Sequence, residues 1–300
     1  TMGVTACNQQ IRRNPPAVFR STHWRGFTLV ELLVVIAIVG ILAGLLLPTL
    51  QRANAKGKST FCLNDMRQLV LALHLYAGDH DDALPPNVGP DGIAETVAKR
   101  EYRNWVNNVM SWELDADNTN TMLLTVGGLG PYVGGVARVF KCPSDTALSQ
   151  VQQEAGWTER VRSVSMNAML GDAGEFMKAA VNTNNPSYRQ FLRLGDVAEP
   201  SRIFAFIEEH PDSINDGYFL NRFYSDKWID LPASYHNGGA NISYADGHVE
   251  WHGWKFASTK PPARPDAAGL PKTIPAGERG DFYWVLSQTS VHAEDLASKY

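Results

Sequence analysis

The chain has 300 residues, 44% of them hydrophobic, which is enough for one sizeable core or two small ones. Its formal net charge is only −4 and it carries no long basic run, so nucleic acid is excluded as an obvious partner. The charge is unevenly placed: residues 1–26 hold Arg12, Arg13, Arg20 and Arg25 and no acid, ahead of a mildly acidic body.

The first element is an apolar run from Phe27 to Leu47, in which Glu31 is the only charge and Thr28 the only other polar side chain. At about 1.5 Å rise per residue it spans roughly 30 Å, the thickness of a bilayer's hydrocarbon core. Two other readings stay open. One is a buried helix of a soluble core. The other is a cleaved secretory signal with Leu42-Ala43-Gly44 at the cut, although such signals have apolar stretches of only about 7–15 residues. The leading arginines predict a cytoplasmic N-terminus and place everything after about residue 50 on the far side of the membrane. Arg52, Lys56 and Lys58 follow the span and weaken this bias without removing it. Glu31 fits neither a plain anchor nor a plain signal. A carboxylate at the centre of a span costs about 2.5–3.5 kcal/mol, less near the interface, and calls for a partner. Arg25 is one candidate. Cleavage after Gly26 supplies another, the new α-amino group of Phe27, about one helical turn from Glu31.

Gly26-Phe27-Thr28-Leu29-Val30-Glu31, followed by that run, resembles the cleavage and methylation site of type IV prepilins and type II secretion pseudopilins. The resemblance implies that a prepilin peptidase/methyltransferase cuts after Gly26 and methylates Phe27. It implies that Glu31, then the fifth residue, helps assembly by pairing with a neighbour's N-terminus. Pro48, then the twenty-second, matches the helix-kinking proline of this class. The implied partners are other pilin or pseudopilin subunits and an inner-membrane assembly platform. The leader is longer than many of this class, which the choice of an upstream start codon would explain.

After Pro48 the pattern becomes amphipathic. Phe61, Leu69, Leu73 and Tyr76 recur at helical spacing, and Met66, Val70 and Leu71 add to the face. This predicts a helix continuous with the span across a kink at Pro48, loosened at Lys56-Gly57-Lys58 and ending near Ala77-Gly78, where glycine suits a C-cap. The expected organisation is a basic leader (1–26), a transmembrane and assembly helix (27–50), an amphipathic half (51–78) and a globular head (79–300).

In the head, residues 161–170 and 201–209 read as strands, the second nearly all apolar and therefore central. Residues 241–244 and 248–251 alternate around Asp246-Gly247, a preferred pair for a tight hairpin turn. The fold class expected is α+β: a pilin-like long N-terminal helix packed on an antiparallel sheet. Residues 258–281 hold five prolines and read as a loop or arm, and "DFYWVLSQT" after them as a last element. His236, nine residues and then Asp246-Gly247 resemble the H-X9-DG signature of pseudopilin-like proteins with a DUF1559-like head. "CLNDMRQLVLALHLYAGDHDDALPPN", "KCPSD" and "EEHPDSINDGYF" resemble the same group.

Cys7 would leave with the leader, so Cys62 and Cys142 remain as an even pair. In an extracytoplasmic head they form either a disulfide, worth ~4 kcal/mol in the chain-entropy model, or two buried free thiols. Major pseudopilins of type II systems bind calcium through loop acids. The resemblance extends that expectation to Asp79, Asp81 and Asp82 and to Asp212 and Asp216, against plain Asx turns. His236, Asp246, His248 and His252 also read as zinc ligands, but neighbouring strand positions point to opposite faces. On that reading His236 instead hydrogen-bonds to shape the Asp246-Gly247 turn. Glu208-Glu209-His210 offers paired acids, again on opposite faces. Trp105, Trp112, Trp157, Trp228, Trp251 and Trp254 read as core rather than as a glycan surface. The expectation is a non-enzymatic structural subunit of a pilus-like or secretion pseudopilus filament. The alternative is a membrane-anchored ligand- or glycan-binding protein that does not polymerise.

Overall fold

The computed structural model describes residues 27–265 and 270–297; residues 1–26, with Cys7, Arg25 and Gly26, lie outside the described residues. The chain divides into two units, residues 1–49 and 50–300. A single helix, α1 (Leu29–Asp79), runs through both, with Pro48 inside it rather than at an end. In the first unit, residues 27–49 are all exposed, and this part of α1 is long and apolar enough to cross a membrane.

In the second unit α1 buries one stripe. Cys62, Met66, Leu69, Leu73 and Ala77 recur at three- and four-residue intervals, flanked by Ser59, Asp65, Val70 and Ala72. Phe61 and Leu71, expected on this face, are 43% and 57% exposed. Leu71 lies two residues, or about 200° of helical rotation, from both Leu69 and Leu73, which turns it away. The Phe61 ring instead lies under the Arg138 guanidinium, 5.5 Å from its centroid. Gly78 does not cap the helix. The chain leaves through Asp81 (φ 52°) and Asp82 (φ 66°), and the Asp82 N–H closes on the Ala77 carbonyl at 2.8 Å. Aspartate tolerates this left-handed backbone because its short side chain bonds locally.

The further helices are α2 (Pro90–Ala98), α3 (Met122–Thr125), α4 (Gln150–Glu154), α5 (Gly280–Ser287) and α6 (Ala293–Ala297). Among the described residues the strands are β1 (Val164–Asn167), β2 (Met177–Lys178), β3 (Val181–Asn182), β4 (Phe204–Glu208), β5 (Tyr218–Phe219), β6 (Lys227–Trp228), β7 (Gly239–Tyr244), β8 (Val249–Gly253) and β9 (Lys272–Thr273). Five of them form the main sheet in the order β5-β1-β4-β7-β8. β4 is central and buried along its whole length, as its apolar run requires. The β1–β4, β4–β7 and β7–β8 pairs are antiparallel, but β5 joins β1 in parallel, so the sheet is mixed rather than antiparallel throughout. The chain reverses after β4 and passes β1, which makes β5 antiparallel to β4 and hence parallel to β1.

The sheet is covered on both faces. Met66, Leu69, Val70 and Leu73 of α1 share one core with Trp105, Phe140, Met166 and Phe206. Phe282, Val285 and Leu286 of α5 share another with Phe204, Ile207, Ile242, Trp228 and Trp254. Phe204 and Phe206 would share a face in a regular strand. The β4–β7 register shifts between them, and this irregularity sends their rings to different cores. The "DFYWVLSQT" segment is thus a helix that seals the second face. The proline-rich stretch before it is not a bare loop, since β9 pairs with β6. Trp105 and Trp228 are fully buried and Trp254 nearly so, whereas Trp251 is 45% exposed.

β7 and β8 form the expected hairpin, with Asn241 opposite Trp251 and Ser243 opposite Val249. Its loop has three residues rather than two. Ala245, Asp246 and Gly247 are closed by the Tyr244 N–H donating to the His248 carbonyl at 3.0 Å. Gly247 sits at φ 95°, a backbone that side-chain-bearing residues rarely adopt. Asp246 Oδ1 accepts the His248 N–H at 3.0 Å, and His74 of α1 donates from Nε2 to the Ala245 carbonyl at 2.9 Å.

Three stability measurements follow. In urea denaturation of the purified chain, Leu73→Ala should cost about 2–5 kcal/mol, because a fully buried side chain leaves a cavity. Leu71→Ala should change stability by no more than about 0.5 kcal/mol. Gly247→Ala should cost about 1–3 kcal/mol from backbone strain alone, read as a lower denaturation midpoint with an unchanged slope.

Candidate functional site

At the start of α1, Thr28 and Glu31 bind each other reciprocally. Glu31 Oε2 accepts the Thr28 N–H at 2.9 Å and the Thr28 hydroxyl at 2.7 Å, and the Glu31 N–H donates to Thr28 Oγ1 at 3.2 Å. This is a capping box, satisfying backbone donors that the first helical turn leaves without intrahelical partners. Its signature, Thr28-Leu29-Val30-Glu31, stood in the sequence and was masked by the stronger apolar pattern. The acid therefore has a local role: it holds the helix start and meets the positive end of the helix dipole. Phe27, just ahead of the box, is 71% exposed. Gly26 lies outside the described residues.

A second constellation lies in the head. His236 does not shape the Asp246-Gly247 turn, because strand β7 separates them. Its six residues, at about 3.3 Å each, put the two motif parts roughly 20 Å apart at opposite strand ends. His236 Nε2 instead lies 3.0 Å from Glu208 Oε1 and 3.3 Å from Cys142 Sγ. Cys62 Sγ lies 3.0 Å from Cys142 Sγ, and both cysteines are free and buried. These four donor atoms fall within 4.8 Å of one another, and all four residues are buried. They come from α1, the loop after Phe140, the end of β4 and the loop before β7. Sequence reading had paired the cysteines but had no signal to bring Glu208 or His236 to them.

Neighbours hold each donor in place. Asn241 N–H donates to Glu208 Oε2 at 2.8 Å, and Asn241 is itself tied to Ser59 of α1 by Ser59 Oγ at 3.0 Å. The Cys142 N–H donates to Ser163 Oγ at 2.6 Å, and the Ser144 N–H to Cys142 Sγ at 3.4 Å. The hydrogen bond to Cys142, with burial, pushes the Cys62 thiol up. Burial opposes charge on Cys142, and the Glu208 carboxylate adds to it, but the contacts with Cys62 and His236 outweigh both; burial also opposes charge on His236, where Cys142 and Glu208 outweigh it. Cys142 is lowered and His236 rises to about 10.

The other sequence-derived candidates are placed apart. Asp246 and His248 pair at 2.6 Å in the exposed turn, while the His252 ring stacks on Trp284 at 3.6 Å, so neither joins His236. Asp79 accepts the Tyr132 hydroxyl at 3.1 Å, and Asp82 accepts the Gly195 N–H at 2.9 Å. Asp81 sits in the turn with left-handed backbone. Asp212 accepts the Arg264 N–H at 2.8 Å and Asp216 the Tyr218 N–H at 2.9 Å. Asp79 thus binds a side-chain hydroxyl, while Asp82, Asp212 and Asp216 hold backbone. Among the described residues, three or more metal-type donors converge in the Cys62, Cys142, Glu208 and His236 set. Glu209 points elsewhere, towards Ser165, Ser213 and Arg162, and burial pushes it up to about 8 against their opposing pull.

Residues 25–47 match the prokaryotic N-terminal methylation motif. The type II secretion system core protein G of Pseudomonas aeruginosa is 38% identical over 110 residues, which is 36% of this chain and 78% of that protein. The Escherichia coli core protein G is 37% identical over 71 residues, or 24% of this chain, which spans only 49% of that relative. The type IV major fimbrial protein FimA of Dichelobacter nodosus is 27% identical over 115 residues, 34% of this chain and 71% of that protein. No solved structure matches the chain. Because the Pseudomonas alignment extends far past the shared N-terminal motif, the chain belongs to the family of pilin-like structural subunits that includes the type II secretion system core protein G.

Proposed function

We propose that this chain is a non-enzymatic structural subunit, cut after Gly26, that assembles through α1 into a pilus-like or secretion pseudopilus filament. The observation that carries the proposal is Glu31, an acid in the first turn of an otherwise apolar helix whose residues 27–49 are all exposed. That stretch changes solvent during assembly, from lipid acyl chains to the packed helices of neighbouring subunits. Before processing, the subunit is a single-pass inner-membrane protein with a cytoplasmic leader, favoured by the leader arginines, and an extracytoplasmic head.

A prepilin peptidase/methyltransferase removes the leader and methylates Phe27. The new amine is a cation that can compete with neutral Thr28 for Glu31, and charge-assisted hydrogen bonds are roughly twice as strong as neutral ones. In the filament that amine comes from an adjacent subunit, with an inner-membrane platform delivering the chains. The family membership and the methylation motif support this reading.

Intact mass of the mature chain should give a methylated Phe27 terminus; a chain beginning elsewhere would overturn the processing step. Subunit crosslinking in membranes should be lost in Glu31→Ala while membrane insertion is retained. Crosslinking equal to wild type would show that Glu31 does not drive assembly.

A further inference from the structure

We propose that Cys62, Cys142, Glu208 and His236 form a closed zinc site that fastens α1 to the sheet within the head. The four side chains arrive from segments far apart in sequence, yet their donor atoms meet within 4.8 Å. Hydrogen bonding alone serves them poorly. His236 Nε2 carries at most one proton but faces both Glu208 Oε1, at 3.0 Å, and Cys142 Sγ, at 3.3 Å. A cation at the centre of the set satisfies every donor at once.

The chemistry selects the ion. Two thiolates, one imidazole and one carboxylate make a four-donor set suited to Zn²⁺, which takes sulfur, nitrogen and oxygen in tetrahedral geometry. Metal–ligand bonds of about 2.0–2.3 Å imply donor separations of roughly 3.3–3.8 Å. The observed separations of 3.0, 3.3 and 3.0 Å, within an overall limit of 4.8 Å, bracket that range, so filling the site needs only small side-chain shifts.

The surroundings fit a metal centre as well. Asn241 holds Glu208 Oε2 through its N–H at 2.8 Å and reaches Oε1, the oxygen that faces the cluster, through Nδ2 at 3.4 Å, while the Ser144 N–H supports the Cys142 sulfur. Partners of this kind orient ligands and tune their basicity. Buried charge needs a counter-charge or a metal. Lys141 lines a small cavity together with Cys62, Cys142 and Glu208, but it is committed to Asp145 at 2.9 Å. All four ligands are buried, so no coordination position opens to substrate and the site is structural. A disulfide is the rival. At 3.0 Å the sulfurs are well beyond the bonded length of about 2.05 Å, and a bond between them would leave the buried Glu208 carboxylate facing a lone imidazole.

The test uses the full chain purified in detergent under reducing conditions, stripped by a chelator and then given Zn²⁺ or Co²⁺ alone. One zinc per chain should return. Co²⁺ should give the intense visible absorption of a four-coordinate ion and a thiolate charge-transfer band, both erased by Zn²⁺. Cys142→Ser should leave one thiolate and so weaken the charge-transfer band by roughly half, and Glu208→Gln, which removes a direct ligand, should weaken binding by at least the roughly 10–100-fold typical of losing an outer-shell partner. If either variant fails to fold, the wild-type chain still decides, because bound metal should shield Cys62 and Cys142 from alkylation and the chelator should expose them. Two results overturn the proposal. One is an intact mass, without reductant, two hydrogens lighter with no metal uptake, which means a disulfide. The other is alkylation indifferent to metal with no cobalt spectrum, which means a hydrogen-bonded core network. The readout is metal alone, so it stands or falls separately from filament assembly.

Discussion

The head depends on one buried helical stripe. Cys62, Met66, Leu69, Leu73 and Ala77 turn a single face of α1 into the core. Fully burying a side chain such as Met66, Leu69 or Leu73 is worth about 1.5–3 kcal/mol, before the entropy of ordering it is subtracted. The sheet receives this stripe on one face only, so its other face needs a separate cover. α5 supplies it with Phe282, Val285 and Leu286. The irregularity at β4 follows from the same demand. It lets one short strand feed large rings to both cores, Phe206 towards α1 and Phe204 towards α5.

Residues 29–49 of the same helix have no such stripe. Apart from Glu31 and Thr49 they are apolar all round, and they are exposed all round. A helix that is hydrophobic on every side is stable only when every side is covered. Lipid meets that condition, and so do other copies of the same helix. The contrast between an all-round apolar segment and a one-faced segment in one continuous helix is the physical content of the pilin-like pattern.

Much of this was legible in the sequence, where the signal is local. Helical periodicity located α1, the apolar 201–209 run located β4, and Asp246-Gly247 located the β7–β8 hairpin. Features that depend on distant partners were not legible. A two-residue strand such as β5 has no periodicity to read, so its parallel pairing with β1 left no trace. Glycine at 78 looked like a cap, but Asp81 and Asp82 make the turn, with the Asp82 backbone tied to Ala77 and Leu194. The His236–Asp246 spacing was visible while its meaning was not. Nine residues is about a strand and its flanks, so the spacing sends the two parts to opposite ends of β7 instead of bringing them together. Cys142 and His236 are 94 residues apart and Glu208 and His236 are 28 apart; no local pattern encodes such a meeting.

On the proposed function, Glu31, a residue that looks misplaced in one environment, is suited to two. In the isolated subunit it closes the capping box with Thr28, so the helix start is satisfied without help from outside. That interaction is neutral on the Thr28 side. An incoming amine displaces it only where the charge is worth more than the cap, and a low-dielectric, water-excluded setting raises the value of the charge. The amine exists only after the leader is gone. On the proposed function, the exchange at Glu31 therefore ties assembly to processing: an uncut chain keeps its cap and offers no amine, whereas a cut chain inside a helix bundle offers one where it binds most strongly.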